Sequence, residues 1–133
     1  MSFRARGTFD VKLKPLKGYA AAGDSTRGRM SIDKLFEGDL EGTSVGEMIT
    51  ASTSVKGSAV YVAIERVRGT LHGRSGTFAL VHTGVMTRGV PSLTISVVPD
   101  SGTGDLAGIT GTMAINIEDG SHSYELEYHL PAG

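Results

Sequence analysis

The sequence predicts an all-β fold: one domain over residues 1–133, built as an eight-stranded antiparallel up-and-down barrel. Three observations carry this. Apolar and polar residues alternate with a period of two along almost the whole chain, the spacing of a strand with one face buried. Most of the alternating stretches are separated by a polar residue followed by glycine, the form of a tight hairpin turn. No long stretch repeats its apolar positions every 3.6 residues, so helix should occupy under about 10% of the chain.

Strand 1, over 3–14, sets Phe3, Ala5, Gly7, Phe9, Val11 and Leu13 against Arg4, Arg6, Thr8, Asp10, Lys12 and Lys14. Lys17–Thr26 is the one long loop expected. Strands follow at 28–40, 43–54, 59–71, 74–86, 91–98, 107–118 and 121–130. Turns fall at Glu41-Gly42, Lys56-Gly57, His72-Gly73, Arg88-Gly89 and Asp119-Gly120, where glycine tolerates the positive φ of a type I′ turn.

Each turn sets a register, because opposed residues share a face. The last hairpin opposes Ile117 to His122, Ile115 to Tyr124, Met113 to Leu126 and Gly111 to Tyr128. His72-Gly73 places Glu65 opposite Leu80, and Ala63 opposite His82; Arg88-Gly89 places His82 opposite Ile95. Lys56-Gly57 places Met48 opposite Glu65, Thr50 opposite Ala63 and Ser52 opposite Tyr61. Glu41-Gly42 places Leu35 opposite Met48, and Asp33 opposite Thr50. The interior then holds Leu35, Met48, Val67, Phe78, Leu80, Leu93, Ile95 and Val97. The outer face opposes Glu47 to Arg66 and carries Ile32, Ile49, Ala51, Val62, Ile64 and Val81. A monomer seldom exposes so connected an apolar patch, so a homo-oligomer is expected. Closure into a barrel removes the sheet edges; a two-sheet sandwich is the alternative.

Composition excludes several functions. The 133 residues contain no cysteine, which removes disulfides, thiolate metal sites and thiol nucleophiles. Thirteen Lys+Arg against 14 Asp+Glu leave a net charge of -1, with no electrostatic footprint for nucleic acid or an acidic membrane. No apolar run reaches the length of a membrane-spanning helix. Met1-Ser2-Phe3-Arg4-Ala5-Arg6 leads into no hydrophobic signal core, so a cytoplasmic location is expected. Nineteen glycines with four prolines suit tight turns and a crowded barrel wall.

The stretch Gly102-Thr103-Gly104-Asp105-Leu106-Ala107-Gly108-Ile109-Thr110-Gly111 resembles the glycine-rich segment of allene oxide cyclases and dirigent proteins. More of the chain is similar to DUF3224, a bacterial family of unknown function. The matching segments are Gly28–Lys34, Gly38–Ser44, Gly57–Val67 and Val98–Gly104. The resemblance implies an allene-oxide-cyclase-like barrel, often oligomeric, with trimer the first choice and dimer the second. It implies no reaction and transfers no catalytic residue.

Gly102-Thr103-Gly104-Asp105-Leu106-Ala107 also fits the G-x-G-x-x-A form of a dinucleotide fingerprint. That site needs a helix next, to hold the pyrophosphate at its N-terminus; Ile109–Ile117 alternates as a strand instead. Ser44-Val45-Gly46-Glu47 fits a capping box but sits inside β alternation. The histidines His72, His82, His122 and His129 have no paired strand spacing for a metal, and no G-x-S-x-G marks a serine nucleophile. Asp100–Asp105 lacks the glutamate and helices of an EF-hand. No metal or cofactor is therefore expected.

Polar residues assigned to the interior are Ser31, Asp33, Glu37, Thr50, Ser52, Tyr61, Glu65, His82, His122 and Tyr124. Asp33, Thr50, Ala63, His82 and Ile95 share one row, with Glu65 and Tyr61 diagonal to His82. A carboxylate enclosed beside an imidazole is a unit of general acid–base catalysis, since burial and charge can tune both groups towards neutral pH. A nearby tyrosine hydroxyl can donate to a developing oxyanion. Glu65, His82 and Tyr61 are the candidate catalytic residues, and Asp33, Thr50, Ser52, Phe78 and Leu80 the candidate ligand contacts. Three functions follow. The chain is an isomerase or cyclase acting on a small apolar molecule, a storage barrel without turnover, or a packed scaffold in which Glu65 and His82 only satisfy each other. Large side chains such as Phe9, Phe78 and Tyr124 can just fill an eight-stranded interior, while small residues at Gly7, Ala63, Gly69, Gly76, Gly84 and Gly111 leave room for a pocket.

Overall fold

Period-two alternation produces the strands it predicts: β1 (Ser2–Leu16), β2 (Arg27–Gly38), β3 (Leu40–Ser52), β4 (Ala59–Leu71), β5 (Arg74–Thr87), β6 (Val90–Val97), β7 (Thr110–Glu118) and β8 (Ser121–His129). The computed structural model describes residues 2–16 and 27–131. The loop expected at Lys17–Thr26 lies outside them. Each strand is antiparallel to its sequence neighbours, and β8 returns to β1, closing the barrel.

Three turns have the expected form. His72, Arg88 and Asp119 take φ of 48°, 48° and 51°, each followed by a glycine at positive φ. The registers around them are those expected: Ala63 faces His82, His82 faces Ile95, and Ile115 faces Tyr124.

The other two turns differ. Lys56-Gly57 belongs to a loop between Ser52 and Ala59, stitched by Thr53 N–H donating to Ser58 O at 3.2 Å. The register moves by two residues, so Met48 faces Ala63, Thr50 faces Tyr61 and Ser52 faces Ala59. Side chains keep their faces because two is the strand period.

Glu41-Gly42 is not a turn at all. The chain reverses at Asp39, after Gly38 at φ 111°. Asp39 N–H donates to Arg6 O (3.0 Å), and Arg6 N–H donates to Asp39 Oδ2 (2.8 Å). Gly42 lies within β3, where a Cβ would meet Arg68 O at 2.2 Å; it is glycine because two strands approach closely, not because the chain turns. The register changes by an odd number, and every side chain of β2 exchanges faces. Ile32, Lys34 and Phe36 are buried, whereas Asp33, Leu35 and Glu37 are exposed and Ser31 is half-buried. The row at mid-barrel runs Met30, Met48, Ala63, His82, Ile95 and Met113.

One end of the barrel is sealed. Leu40, Leu71, Phe78, Leu106, Ile109, Leu126 and Tyr128 form a continuous buried cluster. The glycine-rich segment forms a single 3₁₀ turn at Gly104–Leu106 and inserts Leu106 as a plug. Burying that side chain contributes about 1.5–3 kcal/mol. Thr103 N–H donates to Thr77 O (2.8 Å), holding the segment against β5. β6 and β7 pair through Ile95–Met113 and Ser96–Thr112 alone, and towards the other end Leu93 and Ile117 are exposed.

The outer wall of β3 and β4 exposes Val45, Ile49, Val60, Val62 and Ile64. Ile32, expected there, is inside. The expected Glu47–Arg66 pairing is replaced by Val45 opposite Arg66, and Glu47 pairs with Arg29.

The reversal at Asp39 hangs on Tyr124, whose hydroxyl accepts from Leu40 N–H (2.9 Å) and lies 3.1 Å from the carbonyls of both Glu37 and Leu40. Tyr124→Phe leaves a buried N–H unpaired and should cost about 1–3 kcal/mol. Urea unfolding of both proteins checks this; equal midpoints would show that the turn holds without the hydroxyl.

Candidate functional site

All eight strands contribute to one cup in the barrel interior. Phe9, Val11 and Leu13 come from β1, Ile32 and Lys34 from β2, Met48 from β3, and Tyr61 and Ala63 from β4. His82 comes from β5, Leu93 from β6, Ile115 and Ile117 from β7, and His122 from β8. The cup holds about 280 Å³, near the small end of the usual range for ligand pockets, roughly 300–1,000 Å³. Its walls are apolar. Its polar side chains are Lys34, Tyr61, His82 and His122.

Behind Lys34 and His82 lies Glu65, with no exposed surface. A buried carboxylate needs compensation for its lost hydration, and three neighbours supply it. Lys34 Nζ donates to Glu65 Oε2 at 2.8 Å. His82 Nε2 lies 2.6 Å from the same oxygen. Ser44 Oγ donates to Oε1 at 2.8 Å. A carboxylate only accepts, so Nε2 carries the proton of this bond. Burial acts to raise the Glu65 pKa from its ordinary 4.5, but the His82 hydrogen bond and the Lys34 charge outweigh it and bring the value to about 2.

The backbone makes this meeting possible. Lys34 and Glu65 lie on strands separated by β3, with Gly46 opposite Glu65. A Cβ at Gly46 would lie 2.9 Å from the Cβ of Glu65. The Lys34 ammonium also sits 4.9 Å from the centroid of Phe9 and 5.8 Å from that of Phe36, which contributes about 0.5–2 kcal/mol of cation–π attraction. Tyr61 stands 6.4 Å from His82, centroid to centroid. Burial raises its pKa, and the Glu65 charge adds to the effect, so it remains a neutral hydroxyl.

The sequence places Glu65, His82 and Tyr61 together, and so does the structure. Thr50 lines a separate groove at the rim, which Tyr61 also borders. Ser52 is exposed near the end of β3. Phe78 and Leu80 are sealed into the core below the cup. Asp33 does not face the interior; the reversal at Asp39 puts it outside and brings Lys34 in. Sequence reasoning missed Lys34 and Ser44. The signal was within β2 itself, where Met30, Ile32 and Phe36 alternate with Ser31, Asp33 and Glu37. Among the described residues, no group of three or more His, Asp or Glu side chains is placed to hold a metal ion.

The model of a protein family of unknown function, DUF3224, matches residues 5–128. The chain belongs to the DUF3224 family. Its barrel is similar to the crystal structure of a DUF3224 protein of unknown function from Shewanella oneidensis MR-1. The TM-score is 0.92 at 50% identity, over 99% of this chain and 100% of that one. None of the curated proteins matches this DUF3224 chain. The closed barrel is consistent with the allene-oxide-cyclase-like architecture that the glycine-rich segment implies.

The depressed Glu65 pKa has a signed consequence. Above about pH 4.5 the carboxylate is ionised in both folded and unfolded chains, and its stabilisation is complete. As pH falls through about 2 that stabilisation is lost, on the order of 3 kcal/mol for the drop from 4.5 to about 2. Thermal melts from pH 6 to 2 should show wild type losing this increment and Glu65→Gln not losing it. Parallel curves would refute the assignment.

Proposed function

We propose that this DUF3224 chain binds a small, largely apolar molecule inside the barrel, with one polar head on Lys34 and His82 and its apolar body towards the mouth. The observation that carries the reading is that Lys34 and His82, with Tyr61 and His122, line one cup whose other walls are apolar. Ligand sites commonly combine apolar walls with a few convergent polar groups. A packed scaffold would fill that volume with side chains, because an eight-stranded barrel is narrow enough for them to do so. Ala63, opposite His82 on the cup wall, instead presents only a methyl group.

The ligand head is best matched by a carbonyl. Lys34 has three donor positions and directs one to Glu65, leaving others for an acceptor on the ligand. Saturation-transfer NMR with 2-heptanone tests this. Wild type should transfer saturation to the alkyl chain. Ala63→Leu, which fills the cup from its wall, and Lys34→Met, which removes the donor, should reduce the effect at least about tenfold. Equal transfer to folded Ala63→Leu would place the molecule elsewhere and end the proposal.

The exposed wall of Val45, Ile49, Val60, Val62 and Ile64 supports self-association, a second copy covering the patch. Light scattering should give a dimer or trimer for wild type and a monomer for Ile64→Glu, since Ile64 is 58% exposed in the single chain. A monomeric wild type at micromolar concentration would overturn this.

A further inference from the structure

The two ring nitrogens of His82 are in different positions, and the difference assigns a chemistry to the cup. Nε2 is committed to Glu65 Oε2 at 2.6 Å. Nδ1 has no hydrogen bond among the described residues. Yet no buried side-chain nitrogen or oxygen there lacks a partner, so Nδ1 is open to the cavity that His82 lines. With its proton on Nε2, neutral His82 presents the Nδ1 lone pair to the cup. The Lys34 ammonium, a donor only, lines the same cavity. An acceptor and a cationic donor in one cup complement a molecule with a carbonyl oxygen and an acidic C–H next to it.

We propose that the cup catalyses proton transfer on small enolisable ketones or aldehydes, with His82 Nδ1 as the base and Lys34 on the carbonyl oxygen. This rests on the binding mode proposed above. The α-C–H bond breaks and its proton passes to Nδ1. The electron pair forms a carbon–carbon double bond while the carbonyl π electrons move to oxygen, and Lys34 N–H bonds hold the resulting enolate. Imidazolium then returns the proton to the α-carbon or, where a β,γ double bond is conjugated, to the γ-carbon. The net change is exchange or isomerisation, and no co-reactant is consumed.

Glu65 is a positioning residue here. Both its oxygens are occupied and none of its surface reaches the cup. It holds the proton on Nε2, keeps the ring oriented and stabilises the imidazolium while it exists, as a carboxylate behind a histidine does in other acid–base sites. A glutamine at 65 can donate to Nε2 instead, which moves the neutral ring's proton to Nδ1 and removes the base.

The experiment is deuterium exchange of the α-protons of 2-heptanone and cyclohexanone in D₂O, followed by proton NMR, with ketone binding read separately by saturation transfer. Wild type should accelerate exchange with saturable kinetics. Glu65→Gln should lower kcat at least about a hundredfold and leave KM within about threefold, a split that loss of structure would not produce. His82→Leu should still bind both ketones and show no exchange. If both ketones bind wild type but it exchanges them no faster than His82→Leu, the proton-transfer assignment is wrong and the binding reading stands. If neither ketone binds, both fall.

Discussion

The mid-barrel is organised around one carboxylate. Glu65 has none of its surface in water, and an ion so placed is tolerated only with close, well-directed partners. Three strands provide them: Lys34 from β2, Ser44 from β3 and His82 from β5, each within 2.8 Å of a carboxylate oxygen. Meeting that requirement aligns three strands in register and fixes where polar atoms stand in an otherwise apolar interior. It also determines what faces the cavity. Glu65 is saturated, and its partners Lys34 and His82 stand between it and the cup.

The barrel divides its interior by side-chain size. At the sealed end Phe36, Phe78, Tyr124 and Tyr128 meet leucines contributed by the ends of β3 and β4, by β8 and by the glycine-rich segment. Tyrosines there are accommodated by glycines on the neighbouring strands: a Cβ at Gly7 would lie 2.6 Å from the Tyr124 hydroxyl. The same device recurs in the cup, where a Cβ at Gly84 would lie 2.1 Å from the Tyr61 ring. The glycine content thus reflects close approach across the wall as much as turns. The two uses look alike in sequence. Glu41-Gly42 and His72-Gly73 share a form, yet only the second reverses the chain.

That ambiguity explains what was legible of the candidate site. Glu65 and His82 come together through the His72-Gly73 turn, whose two-residue geometry sets the register between β4 and β5. The longer loop between β3 and β4 moves their register by two, which shifts Thr50 and Ser52 towards the rim without changing their face. The reversal at Asp39 is an odd shift, which brings Lys34 in and sends Asp33 out. An even slip displaces a contact, whereas an odd slip replaces the residue that makes it.

The alternation in the sequence determined by itself the all-β class, the strand count, the order of strands and the inner face of most of them. A half-buried strand must place every second residue in the core, and that demand is written along the chain. Three turns were equally determined, because adjacent positive φ values at His72-Gly73, Arg88-Gly89 and Asp119-Gly120 suit a polar residue and a glycine. Only the tertiary structure decided which partner neutralises Glu65. The face of β2 depends on where the chain reverses, and that point is held by Arg6 on β1 and Tyr124 on β8. Those contacts span 33 and 84 residues of chain. They arise when the barrel closes, so the turn signal at Glu41-Gly42 could not express them, and only the alternation within β2 pointed to its inner face.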